Sequence, residues 1–265
     1  MIIYGENMSK KDDVSKLYDI VISCKKIINF TFYLNIILSF VLIYLISSEI
    51  LNLQLITIFL NILVSFLSDF IFFPKSEEER LRSNIKNSLG VDVTENDTDG
   101  YYNNKQQHSI QKVILNTFEN IFFTKNIVNK MLFKDWIKPF ISVVLLTVAF
   151  VFFRERSIIL IVFQSIFSSN YLIGYIKLCI FKVKLDVLFS KFRSKLKTED
   201  RKGGVNSLTK EELVILITES VEYEMLKSSF KVMLDSKVFK ENNEKWSNEW
   251  NEMAETIVVS KNKFN

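Results

Sequence analysis

Gln54, Thr57, Asn61, Ser65 and Ser68 are the residues whose types and spacing could do work in this chain. They follow one another at intervals of 3, 4, 4 and 3 inside a stretch, 50–68, that holds no charged side chain, so one helical face carries them all. Amides and hydroxyls in an apolar surrounding need partners, and two roles fit. They can form hydrogen bonds between neighbouring helices, which average about 0.6 kcal/mol, or line an aqueous path in an oligomer. Asp69 closes the stripe as the one acid of the run. It lies about 6 Å of helix rise from Phe73 and Pro74, where it serves either as a water-exposed interfacial acid or as a charge at a pore mouth or in an ion pair with a basic flank. The pore-lining candidates are therefore Gln54, Thr57, Asn61, Ser65, Ser68 and Asp69. Thr31, Asn35 and Ser39 repeat the pattern more weakly at i, i+4, i+8, and Gln164, Ser165, Ser168, Ser169 and Asn170 cluster further on, with Ser165 and Ser169 forming a small-xxx-small pair.

The residue sets of familiar enzyme chemistry are missing. His108 is the single histidine, so neither a Cys/His nor an HExxH zinc site can be assembled, and no Ser/His/acid set can be built with assurance. Six glycines include no GxGxxG or GxxxxGK arrangement, which leaves nowhere for a nucleotide-hydrolysing site of those kinds. Glu95, Asp97, Asp99 and Gly100 match part of a calcium-loop spacing, but Gln106 stands where such loops carry a bidentate glutamate, so the stretch reads as a solvated loop. An enzyme is not expected, nor a cofactor, nor a nucleic-acid duplex as partner.

The elements that must position the stripe are apolar. Residues 27–48 and 50–68 are uncharged but for Glu49 between them, and each run, at about 20 residues and about 1.5 Å per residue, matches the hydrocarbon thickness of a bilayer. A second hairpin, 136–153 and 157–176, repeats the design after a polar interval. The expected fold is an all-α membrane protein of four transmembrane helices arranged as two hairpins, with a helical cytosolic domain. With 48% hydrophobic residues overall, the apolar residues must be concentrated in these runs. An all-helical soluble protein would not be expected to carry four such stretches. A signal peptide is also not expected, because the first run exceeds an ordinary h-region and lacks a small-x-small site.

The expected divisions are 1–26, a cytosolic amphipathic segment; 27–73, the first hairpin; 74–135, a cytosolic helical segment; 136–176, the second hairpin; and 177–265, a cytosolic helical region. Lysines and arginines flank the runs on the side of both termini and the middle segment, while the first tip carries only Glu49, which places both termini in the cytoplasm of a multi-pass protein in a bacterial inner (plasma) membrane. The Arg154–Arg156 tip is a local exception. Cys24 and Cys179 fall at cytoplasmic ends, where two free thiols are expected.

Within the polar parts, the spacing predicts an amphipathic helix before the first run, a helix over 77–89 closed by Gly90 at C′, and another over 110–132. A basic amphipathic helix over 181–196 is adequately explained by attraction to anionic headgroups. The capping-box pair Thr209 and Glu212 starts a helix through about 235, and Trp246 and Trp250 share a face of the last helix and pack onto the domain.

Two tight hairpins with both termini inside, a middle segment with Gly100-Tyr101-Tyr102-Asn103 and Asn116-Thr117-Phe118-Glu119-Asn120-Ile121-Phe122-Phe123, and a helical tail with Glu222-Tyr223-Glu224 and Trp246 resemble the SMODS-associated four-transmembrane effectors. The resemblance implies a pore-forming effector of bacterial anti-phage defence, paired with an enzyme that makes a cyclic nucleotide messenger, whose opening or assembly depolarises the host. An anionic messenger of that kind would want cations beside stacking aromatics, and Arg80, Arg82, Tyr101, Tyr102, Lys105 and Trp246 are the candidates. The expected partners are the lipid bilayer, further copies of the chain in a homo-oligomer, and a cyclic nucleotide or a cytosolic protein. The rival reading is a membrane-anchored sensor or scaffold that recruits a cytosolic partner and conducts nothing. A small secondary transporter is disfavoured because no run is broken by Gly or Pro at mid-depth.

Overall fold

The computed structural model describes residues 13–45, 47–95, 106–152, 158–197 and 204–258. Every regular element among them is helical, eight α-helices with one π turn and one 3-10 turn. α1 (Asp13–Tyr44) and α2 (Ser48–Leu67) form an antiparallel hairpin, turned at Ser47, whose hydroxyl accepts from the Glu49 amide at 3.2 Å. The amphipathic start and the first apolar run are thus one helix, with Val14, Val21 and Cys24 buried on its inner face.

α2 does not stop at the Phe-rich exit. It passes through a π turn, Ser68–Phe72, directly into α3 (Phe73–Leu89). Pro74 has no amide hydrogen to give to an i−4 carbonyl. The Phe73 amide bonds back to the Ser68 carbonyl, five residues away, and the wider turn lets the proline enter the first turn of α3 without ending the helix. The helix expected over 77–89 therefore begins at Phe73, and it ends as expected at Gly90, with φ 69° and its amide on the Lys86 carbonyl.

Among the described residues, two helices are long and apolar enough to cross a membrane, Lys16–Leu42 and Ser48–Leu89. Their hairpin is inverted relative to a soluble fold. Thr31, Asn35, Ser39, Gln54, Thr57 and Asn61 are buried, while Phe30, Ile37, Ile56, Phe59 and Phe66 are exposed. An exposed apolar surface of this kind marks a contact with a membrane or with another protein. α5 (Ile137–Phe152) has only 16 residues, about 24 Å of rise, and packs against the start of the 39-residue α6 (Ile158–Leu196).

α4 (Ile110–Asp135), the second half of α6, α7 (Lys210–Phe230) and α8 (Ser236–Val258) enclose the main core. Phe118 sits at its centre, stacked on Phe189 and Phe192 at 5.3 and 5.5 Å between ring centroids and edge-on to Trp250 at 5.4 Å. The basic amphipathic stretch of α6 is placed differently from its expected headgroup role: Phe181, Leu185, Leu188 and Phe192 are in this core, so its apolar face meets protein. The Thr209–Glu212 capping box is present in both directions, at 3.2 and 2.9 Å. The helix it starts ends at Phe230, not near 235, because Lys231 turns into the left-handed region at φ 50°.

Candidate functional site

The polar stripe of α2 is met by the weaker stripe of α1. Gln54 Nε2 donates to Ser39 Oγ at 2.9 Å, Thr57 Oγ1 to Asn35 Oδ1 at 2.9 Å, and Asn61 Nδ2 to Thr31 Oγ1 at 2.6 Å and to the Ile28 carbonyl at 3.0 Å. Asn35 in turn donates to the Thr31 carbonyl at 2.8 Å. The rungs run in opposite directions along the two helices, as an antiparallel hairpin requires. The helix-bonding role of Gln54, Thr57 and Asn61 is thus what the monomer displays, and their polar groups do not face an open channel within it. Ser65 is partly buried, Ser68 is buried in the π turn, and Asp69 is exposed at the level where α2 gives way to α3. Of the fourth run's polar cluster, 164–170, no side chain belongs to the described residues.

Below the ladder lies a second polar site that sequence reasoning passed over. α3 carries Glu77, Glu78, Glu79, Arg80 and Arg82, so the apolar part of the long helix ends before it. Tyr18 Oη on α1 donates to Glu77 Oε1 at 2.6 Å, Arg80 Nε donates to Glu77 Oε2 at 2.8 Å, and Lys227 Nζ on α7 reaches Glu77 Oε2 at 3.0 Å. The Arg80 guanidinium also grips Glu224 of α7. One cluster of charges therefore ties α1, α3 and α7 together. Next to it Tyr223, fully buried, shares a hydrogen bond of 2.9 Å with Thr124 of α4.

The electrostatics follow from burial and pairing. Burial alone would push the Glu77 carboxyl up, but the Lys227 and Arg80 cations, with hydrogen bonds from Tyr18 and Arg80, hold it down at about 2. Burial would lower Arg80, yet Glu77 and Glu224 keep it firmly protonated. Burial and the neighbouring Arg80 lower Lys227 against the pull of Glu77 and Glu224. Burial raises the Tyr223 phenol, which stays neutral. Such a cluster is a strong positional lock, because removing any one member strands its partners.

Of the six ligand-binding candidates, none are brought together as a pocket among the described residues. Arg80 is committed to the cluster, with its side chain 11% exposed. Arg82 is exposed and paired with Glu78 at 2.6 Å. Trp246 is 5% exposed in the main core, so its ring has no face to offer a nucleotide base in this conformation. Tyr101, Tyr102 and Lys105 lie outside the described residues, as does most of the calcium-like loop.

Glu77 and Lys227 look like ordinary surface charges on α3 and α7, and Glu224 enters the sequence reading only within the tail motif Glu222-Tyr223-Glu224. One signal was available: Lys227 falls on the same helical face as Leu216, Ser220 and Tyr223, at i+11, i+7 and i+4 before it, and all three are buried. A lysine on a core face implies a buried carboxylate opposite. A third polar contact fastens α3 to α4: Asn116 Nδ2 donates to Ser88 Oγ at 2.8 Å, and Asn84 and Asn87 accept at 3.3 Å. Compared with known proteins, the chain matches no family model, no curated protein and no solved structure.

Proposed function

We propose that this chain is a multi-pass membrane effector in which a cytosolic helical bundle controls a transmembrane hairpin. The observation that carries the reading is the unbroken path from α2 through the π turn into α3, locked to α7 by Glu77, Arg80, Lys227 and Glu224. A displacement of α7 on binding a cytosolic signal is passed to α2 by a continuous helix and a buried charge cluster, not by a loop. In this reading α5 and the start of α6 form the second hairpin, giving four spans with both termini in the cytoplasm, in agreement with the basic flanks.

The resemblance drawn from the sequence supplies the context: a homo-oligomeric effector of bacterial anti-phage defence that depolarises the membrane when a signal such as a cyclic nucleotide arrives. The zipped hairpin is then the resting state. Conduction requires Gln54, Thr57 and Asn61 to leave Ser39, Asn35 and Thr31 and to line a path between copies, with Ser65, Ser68 and Asp69 at its inner end. An effector that acts by conductance needs no catalytic set.

A second reading, a membrane-anchored sensor or scaffold that conducts nothing, is favoured by the ladder itself, which is fully used inside the hairpin. Membrane potential separates the two. Bacteria expressing the chain, with and without phage, are followed with a voltage-sensitive dye. Signal-dependent depolarisation that Ser65→Leu abolishes, with the protein still in the membrane, is expected of the effector. An unchanged potential in both conditions would leave the anchored partner-binding protein.

A further inference from the structure

We propose that the outward face of α6 is a parallel self-association seam, occupied in the membrane by α6 of further copies of the same chain. Ile173, Ile176, Ile180, Val183 and Val187 follow one another at intervals of 3, 4, 3 and 4, and all are 45–59% exposed. They stand opposite Leu178, Phe181, Leu185 and Leu188, which are in the main core. A strict alternation of 3 and 4 is the seam of a coiled coil, and stiff β-branched side chains are what its a and d positions take. In the sequence the same register continues backwards through Ser169, Ile166, Val162 and Ile159.

The occupant follows from continuity and charge. Lipid could cover Ile173 and Ile176, but Val183 and Val187 lie about 10 and 16 Å of helix rise past Ile176, beyond Lys177, where the opposite face of α6 is already walled by protein. A partner that covers all five must follow the helix axis through both surroundings, and a second α6 does so. Lys177, Lys184 and Lys191 flank the seam on one side, and Leu172, Cys179 and Asp186 on the other. Antiparallel pairing would set the lysine row against the lysine row of the partner. Parallel pairing sets it against Leu172, Cys179 and Asp186, with Asp186 opposite Lys191. These two already have intramolecular contacts, Asp186 with Lys182 at 2.6 Å and Lys191 with Glu219 at 2.8 Å, which hold both side chains beside the seam.

The proposal rests on the membrane reading above, since copies inserted in one bilayer share one orientation and can only meet in parallel. Isoleucine and valine at both a and d favour three or four helices over two.

The test uses the full chain in membranes with Cys24→Ala and Cys179→Ala, carrying Val183→Cys on the seam or Lys182→Cys off it, under mild oxidation. Val183→Cys should give a covalent dimer about tenfold faster than Lys182→Cys, as expected for a thiol held beside its own copy. The detergent-extracted wild-type chain should have a mass of three or four protomers, and Ile180→Glu with Val183→Glu should reduce it to one. Equal cross-linking at both positions, or a single-chain mass for the wild type, overturns the seam. So does quenching of a probe on Val183→Cys by lipid-borne quenchers, which assigns the face to the bilayer. Recovery of the chain in the soluble fraction would instead overturn the membrane reading beneath it.

Discussion

Lys227 of α7 places its ammonium 3.0 Å from the Glu77 carboxylate of α3, 150 residues away in sequence, and the two side chains are 6% and 10% exposed. This contact, with Arg80 between Glu77 and Glu224, is where the long helix of the hairpin is held to the bundle. Glu77→Gln keeps the shape and removes the charge, leaving two buried cations with one carboxylate. It should destabilise the fold by about 3–5 kcal/mol, the usual cost of stranding a buried charge. Adding Lys227→Met should restore part of the loss. Chemical unfolding followed by tryptophan fluorescence checks both, since Trp246 and Trp250 report on the core that α7 shares.

The same cluster sets a pH dependence. The folded carboxyl of Glu77 titrates at about 2 against 4.5 for the ordinary group, so the folded state binds the proton less readily than the unfolded state. Its contribution, about 3 kcal/mol, is fully present above pH 4.5 and is lost as the pH falls from 4.5 through about 2. Acid unfolding of the Glu77→Gln variant should lack this segment of the curve.

Asn61 links α2 to both Thr31 and the Ile28 carbonyl. Asn61→Leu should loosen the hairpin by only about 0.6–1.7 kcal/mol, the range of hydrogen bonds between helices in membranes. A double-mutant cycle with Thr31→Val should show coupling within that range. Coupling near zero in a folded, inserted protein would mean that the ladder is open in the bilayer, the condition a conducting state requires.

Gly90 ends α3 at φ 69°, and a Cβ there would stand 3.1 Å from the His108 ring. Gly90→Ala should cost about 1–2 kcal/mol for the left-handed conformation, with a further loss from the ring contact. His108→Ala in the same chain should recover the second part and not the first. Thermal unfolding of the two variants separates the terms.

The sequence by itself determined the local pieces of this protein: helical periodicity throughout, the two polar stripes of the first hairpin, the Gly90 stop, the Thr209–Glu212 box and the shared face of Trp246 and Trp250. Each depends on a period of 3.6 residues or on side chains reaching a few residues along their own chain, and both are written in the order of residues. Which face meets which partner was decided only by the tertiary structure. It turned the stripe of α2 onto Thr31, Asn35 and Ser39, drew Arg80 into a buried cluster with Glu77 and Glu224, and put the apolar side of the basic stretch of α6 against Phe118. The physical reason is that a lone helix shows what its faces can accept. The choice between lipid, water and another helix belongs to packing between segments far apart in the chain.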